Sequence, residues 1–410
     1  MARIMVIGGG IAGTAVALGL HKAGFGVTVH EAHPDSGADT GAFLTLASNG
    51  MRALAQLDAA ALVAGLGFPL TAMNVLDESG HELAAVPLGE HEHPLTRYRC
   101  LRRAALGAAL QREVRRRGIP IRHAARLVGV AERSEDVTVT FADGSSATAD
   151  LVIGADGLHS AVRGRLDPDG AGPEYAGQRV FYGYTADAVV PPDSPSDRIT
   201  MVRGSATAFG YAVSPAGETY WFARVPGPPA TAEELAGTTP DAWREQLLPL
   251  LRADRTPAAG IVAATGEQLM VTNALHLGPG GRWHGPRTVL IGDAAHAASP
   301  ATGQGASMAL EDAVVLAKAL RDARSPAAAL ERYELLRRPR TERNIEVSGR
   351  LTAARSAPPV AAGAEPGAAV PPARDSQRPE QRVDEELLRL LDWRTPLPST
   401  GPNAQAGPRP

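Results

Sequence analysis

The run Gly8-Gly9-Gly10-Ile11-Ala12-Gly13 limits what this chain can fold into more than any other feature. It satisfies G-x-G-x-x-G, follows the apolar segment Arg3 to Gly8, and opens a helical stretch from Ile11 to Ala23 that leads to a second apolar run, Gly26 to Glu31. Gly8 permits a tight turn, Gly10 lets backbone approach a pyrophosphate, and Gly13 lets helix and strand pack closely. The phosphate charge then meets free N–H groups at the positive end of the helix dipole. Glu31 ends the second strand eighteen residues past Gly13, where a carboxylate can accept hydrogen bonds from a ribose. Strand, turn, helix, strand and acid in this order predict a dinucleotide-binding βαβ unit. The pattern alone does not separate NAD from FAD.

Two later segments supply that distinction. Leu151-Val152-Ile153-Gly154-Ala155-Asp156-Gly157-Leu158-His159-Ser160-Ala161-Val162-Arg163 and Val289-Leu290-Ile291-Gly292-Asp293-Ala294-Ala295-His296 each put an aspartate at the end of an apolar strand. A carboxylate there faces the same crevice as the pyrophosphate and can accept from sugar or ribityl hydroxyls. Either corner taken alone also reads as a turn or a helix cap. Together with the fingerprint, the segments resemble the class A flavoprotein monooxygenases, the p-hydroxybenzoate hydroxylase-like family of single-component, FAD-dependent aromatic hydroxylases, over about Ile4 to Arg350.

The resemblance implies that Gly8, Gly10, Ile11, Ala12, Gly13 and Glu31 bind the ADP half of FAD, and that Asp156 orders a loop serving both FAD and the incoming nicotinamide cofactor. Gly292 and Asp293 would hold the ribityl chain. The family continues into a proline and a glycine-rich helix start, matched by Ala298-Ser299-Pro300-Ala301-Thr302-Gly303-Gln304-Gly305-Ala306-Ser307. Pro300 would lie near the ring, with backbone at Gly303, Gln304, Gly305 and Ala306 facing the flavin's N1–C2=O edge. Many relatives carry Asn where this chain has Ser307. Arg103, followed three residues on by Leu106, matches a cofactor-binding arginine of the family, whereas Arg102 has the wrong spacing. His296 is read as structural, because no carboxylate or serine partner for it can be identified from sequence.

The fold class expected is α/β: a Rossmann-like FAD-binding domain, a second, mostly antiparallel β-sheet substrate domain, and a C-terminal helical segment. The expected divisions are 1–69, 98–174 and 273–330 for FAD binding, 70–97 and 175–272 for substrate, a long helix over 331–355, a flexible linker over 356–382, and a docking helix and tail over 383–410. In the substrate domain, Thr219, Trp221 and Ala223 share one strand face, and Tyr220, Phe222 and Arg224 the other. Trp221, with Tyr211 and Pro300, is expected to line the substrate pocket.

A formal charge of -3 gives no electrostatic reason to expect nucleic acid or a membrane surface as partner. A single cysteine, Cys100, permits no internal disulfide and fits a reducing compartment. Neither a secretory cleavage site nor an apolar run of membrane-spanning length is visible, so a cytoplasmic monomer or weak dimer is expected. No metal-ligand spacing stands out, and His91 and His93 read as surface residues or loop caps. The implied function is an NAD(P)H-consuming monooxygenase that inserts one oxygen atom from dioxygen into an aromatic or other electron-rich, apolar small molecule through a flavin C4a hydroperoxide. An FAD-dependent reductase without oxygen insertion and a catalytically silent FAD-binding scaffold are the alternatives.

Overall fold

The computed structural model describes residues 2–35, 42–90, 93–186, 190, 195–356 and 385–398. His91, most of the expected linker and the tail beyond 398 lie outside them. Among the described residues, no helix is long and apolar enough to cross a membrane.

Five short strands form a parallel sheet in the order Thr288–Leu290, Leu151–Gly154, Arg3–Ile7, Gly26–His30, Ile121–Arg122. Their β-branched and aliphatic residues are buried on both faces, as a sheet sandwiched by helices requires: Val6, Val29, Val152, Ile153 and Val289 are fully enclosed. The helix Ile11–Lys22 is apolar nearly all round because it too is covered, lying between this sheet and the helix Gly305–Asp322. A three-stranded antiparallel meander, Leu127–Glu132, Val137–Phe141 and Ser146–Ala149, is inserted before Leu151–Gly154.

Between Leu151–Gly154 and its neighbour Thr288–Leu290 the chain builds most of a second, seven-stranded sheet. Its order is Leu269–His276, Glu174–Thr185, Thr219–Pro226, Ala208–Val213, Arg198–Arg203, Ala72–Leu76, Glu82–Pro87. All pairs are antiparallel except Arg198–Arg203 with Ala72–Leu76. Leu269–His276 belongs wholly to this sheet, although the expected boundary at 272/273 cut through it. One face is packed by the helices Pro240–Leu251 and Ala258–Ala263 through Trp243, Leu247, Leu251, Ile261 and Val262. The other meets the nucleotide domain through Phe43, Phe68, Tyr184, Tyr220 and Phe222.

The long C-terminal helix spans Pro326–Ser356. Beyond it, Glu385–Leu391 inserts Leu387 and Leu391 into the nucleotide-domain core. The Lys318 ammonium, pulled down to about 8 by burial, satisfies that helix's last carbonyls by donating to Leu390 O and Asp392 O, each at 2.6 Å.

Candidate active site

At the fingerprint the glycines are required sterically. A Cβ on Gly13 would fall 1.9 Å from Gly8 O, and one on Gly8, whose φ is +104°, would fall 2.3 Å from Ala155 O. Gly10 has nothing within 4 Å of its missing Cβ, so the start of the helix Ile11–Lys22 opens onto free space. Glu31 is fixed beside it: Gly9 N–H donates to Oε2 at 2.6 Å and His33 N–H to Oε1 at 2.7 Å.

Asp156 orders its own loop. Its Oδ1 accepts from the Ser160 hydroxyl at 2.6 Å, and its Oδ2 from Ala161 N–H at 2.7 Å and Val162 N–H at 3.1 Å. Burial pushes its carboxyl up, against these hydrogen bonds. Arg163 then ties this segment to the next, donating to Leu158 O at 2.6 Å and to Ala294 O at 3.0 Å.

Gly292 adopts φ +59°, and its N–H donates to Asp312 Oδ2 at 2.9 Å. The same oxygen lies 2.5 Å from His296 Nε2. Asp312 Oδ1 accepts from Arg337 Nε at 2.7 Å, and Arg337 Nη1 donates to Glu311 Oε2 at 2.6 Å. His296 therefore does have a carboxylate partner, supplied sixteen residues later by the helix Gly305–Asp322. Burial alone would raise the Asp312 carboxyl, but the His296 and Arg337 charges outweigh it and hold the group well below the usual carboxylate range.

These segments open onto one continuous cavity of about 710 Å³. It is lined at the fingerprint by Gly8, Gly10, Ile11, Ala12 and Glu31, and Arg103, whose N–H donates to Ala42 O at 3.1 Å, also reaches it. Asp156, Asp293, Pro300, Gly303, Gln304, Gly305 and Ala306 line it as well. Gly13 and Gly292 stay behind this surface and act through packing and backbone shape. Arg102 is not on the wall; it pairs with Glu218 at 2.5 Å. Ser307 also turns away, its hydroxyl accepting from Ala47 N–H at 3.2 Å.

The far end of the cavity is apolar, walled by Phe43, Met73, Leu88, Ile199, Met201 and Phe222, with Tyr182 among them. Trp221 and Tyr211 are not there. Trp221 is 0% exposed, stacks on Phe209 at 5.6 Å, and donates its indole N–H to Thr265 Oγ1 at 2.9 Å. Tyr211 pairs with it across the strands in the same cluster beneath the helix Pro240–Leu251. Side chains alternate along Thr219–Pro226 as expected, but with the opposite face toward the cavity: Phe222 and Arg224 line it and Trp221 does not. Sequence could not choose, because the sheet is covered on both sides and both faces carry aromatic residues. Pro300 does line the cavity, and Arg224 Nη2 donates to its carbonyl at 3.0 Å.

The cavity fits a dinucleotide with a planar ring. The cradle at Gly10 is open, the same cavity reaches the apolar cluster around Phe43, Ile199 and Phe222, and Gln304 Nε2, in a side chain 1% exposed, has no partner among the described residues.

Residues 1–348 match the family described as FAD binding domain. The chain is 31% identical over 339 residues to an aurachin C monooxygenase/isomerase of Stigmatella aurantiaca, covering 82% of this chain and 84% of that protein. It is 34% identical over 352 residues to the 3-amino-4-hydroxybenzoate 2-monooxygenase PtmB3 of Streptomyces platensis, with the same coverage of 82% and 84%. The crystal structure of Klebsiella pneumoniae HpxO complexed with FAD and uric acid superposes with a TM-score of 0.76 at 28% identity, covering 87% of this chain and 89% of that one. This chain therefore belongs to the FAD binding domain family and is an FAD-dependent flavoprotein monooxygenase of class A.

Proposed function

We propose that the enzyme hydroxylates a flat, electron-rich, apolar small molecule, taking electrons from NAD(P)H and oxygen from dioxygen. One observation carries this reading: the cavity runs without interruption from the pyrophosphate cradle to an apolar box under the seven-stranded sheet. HpxO binds uric acid and PtmB3 is named for an aminohydroxybenzoate, both flat, electron-rich rings, which supports the same substrate class here. FAD, when bound, supplies electron transfer and oxygen activation. Backbone N–H groups at Gly10 to Ala12 receive the pyrophosphate, Glu31 accepts from a ribose, and Arg103 binds the cofactor from the start of its helix. Asp293 accepts from the ribityl chain. The backbone from Gly303 to Ala306, at the start of the helix Gly305–Asp322, offers N–H groups to the electron-rich edge of the reduced ring. Phe43, Met201 and Phe222 hold substrate and exclude water.

The deciding experiment is a screen of aromatic compounds for those that accelerate NAD(P)H consumption, with oxygen uptake and product mass measured together. A product heavier by one oxygen atom supports the reading; stimulated NAD(P)H oxidation without oxygen uptake would leave a reductase.

Two variants probe the ends of the cavity. Asp293→Ala removes a charge-assisted hydrogen bond and should weaken FAD binding by about 1.5–3 kcal/mol; titration of the apoprotein with FAD measures this, and unchanged affinity removes Asp293 from the ribityl site. Phe222→Ala opens the apolar wall. FAD content should stay near wild type while more of the NAD(P)H electrons end as peroxide, and coupling equal to wild type would place substrate elsewhere.

A further inference from the structure

The long helix Pro326–Ser356 carries a buried stripe that is polar where a core helix ordinarily places leucine. Arg337, Thr341, Asn344, Ser348 and Thr352 recur at steps of three and four residues, on one face, and are 0%, 1%, 2%, 0% and 6% exposed. Polar groups are costly to bury unless they are bonded, and leucine would fill the same space without that cost.

Apart from Thr341, whose hydroxyl donates to Arg337 O and Arg338 O of its own helix, the stripe reaches one segment, residues 292 to 302. Arg337 holds Asp312, which holds Gly292 N–H and His296 at the loop's start. At its other end the Thr302 hydroxyl donates to Asn344 Oδ1 at 2.9 Å and lies 2.9 Å from Ser348 Oγ. Between them, Ser299 Oγ lies 2.9 Å from Thr352 Oγ1. Residues 292 to 302 are thus tied to the long helix directly at Ser299 and Thr302, and at Gly292 and His296 through Asp312 of the helix Gly305–Asp322. Apolar packing tolerates sliding, whereas hydrogen bonds at three points fix both position and register.

We infer that this stripe positions the flavin: Asn344, Ser348 and Thr352, together with Arg337 acting through Asp312, are positioning residues that set where the loop presents Asp293 and Pro300. The inference rests on the proposed seating of FAD along this loop. None of the four lines the cavity, so each acts through the loop.

The test is a titration of apoprotein with FAD, with the visible absorption band of the bound flavin recorded alongside apoprotein melting. Asn344→Leu and Thr302→Val should each raise the FAD Kd about fivefold to tenfold and shift the flavin band. Thr302→Ser, which keeps the hydroxyl, should restore both. The double variant should be no worse than Thr302→Val alone, because the Thr302–Asn344 hydrogen bond is already lost with the Thr302 hydroxyl. Ser348→Ala, which deletes only one oxygen atom, serves if Asn344→Leu does not fold, and should move Kd in the same direction. An apoprotein that melts earlier while Kd and spectrum stay at wild type would make the stripe ordinary core and overturn the inference, as would additive effects in the double variant. Asp293→Ala separates the two readings. If it weakens FAD binding while the stripe variants do not, the stripe alone is wrong; if Asp293→Ala also binds FAD normally, the seating of FAD on this loop falls with it.

Discussion

Arg337→Ala should destabilise the enzyme by about 3–5 kcal/mol, measured as unfolding free energy or as a fall in melting temperature. The side chain is 0% exposed and pairs with two carboxylates that are themselves 0% exposed, Glu311 at 2.6 Å and Asp312 at 2.7 Å. Truncation leaves a cavity and two buried negative charges that have lost their shared partner. Glu311 keeps Arg340, at 2.9 Å, and Asn49 Nδ2, at 2.7 Å; Asp312 keeps His296 and Gly292 N–H. Adding Glu311→Gln to Arg337→Ala should therefore recover part of the loss by removing one of the stranded charges.

The pH dependence distinguishes a charge effect from a packing effect. In the intact enzyme, burial raises Glu311 and Asp312, but the facing arginines, with His296 at Asp312, win and hold both below the usual range. The native state then binds fewer protons than the unfolded chain below about pH 4, and this contribution is lost as pH falls through that window. Without Arg337, burial acts with less opposition and the folded carboxyls shift upward. The folded carboxyls then shed protons less readily than in the intact enzyme, so the deficit of the variant should shrink as pH falls from neutral toward about pH 4. A deficit independent of pH over that interval would assign the loss to the cavity alone.

What could be read from sequence was what local stereochemistry dictates. Gly13 is required by Gly8 O within one turn of its own βαβ unit, and Gly8 by its own positive φ as well as by the distant Ala155 O, so the spacing of the pair announced the fold and the cradle together. Asp156, too, finds its partners within six residues. Long-range partnerships left no such mark. Arg337, Asn344, Ser348 and Thr352 look like a solvated helix face until the loop from Gly292 to Thr302 is folded against them. Ala72–Leu76 could not be seen to run parallel to Arg198–Arg203, because that pairing is set across more than a hundred residues. The docking helix was legible from its leucines, but its seat, with Trp393 between Lys22 and Arg321, depends on surfaces made elsewhere in the chain.

Trp221→Ala should lower stability by about 3–5 kcal/mol while the folded fraction keeps normal FAD content and normal coupling of NAD(P)H oxidation to product. The strand Thr219–Pro226 presents Trp221 to the helix side of the sheet, where its ring lies against Phe209 and shares a cluster with Trp243 and Leu247. Gly183 on the neighbouring strand makes room for it; a Cβ there would fall 2.5 Å from the indole ring. Removing the ring thus empties a space that the surrounding side chains cannot refill, and takes the indole donor from Thr265. The effect on catalysis should be absent because Trp221 is on the opposite face of the sheet from Phe222, which meets the cavity. The two truncations should therefore behave as opposites: Trp221→Ala melts early and stays coupled, and Phe222→Ala melts later than Trp221→Ala and leaks peroxide. If Trp221→Ala instead kept its melting temperature and released peroxide, the faces of this strand would be reversed in the working enzyme, and the apolar box would have to be rebuilt around the indole.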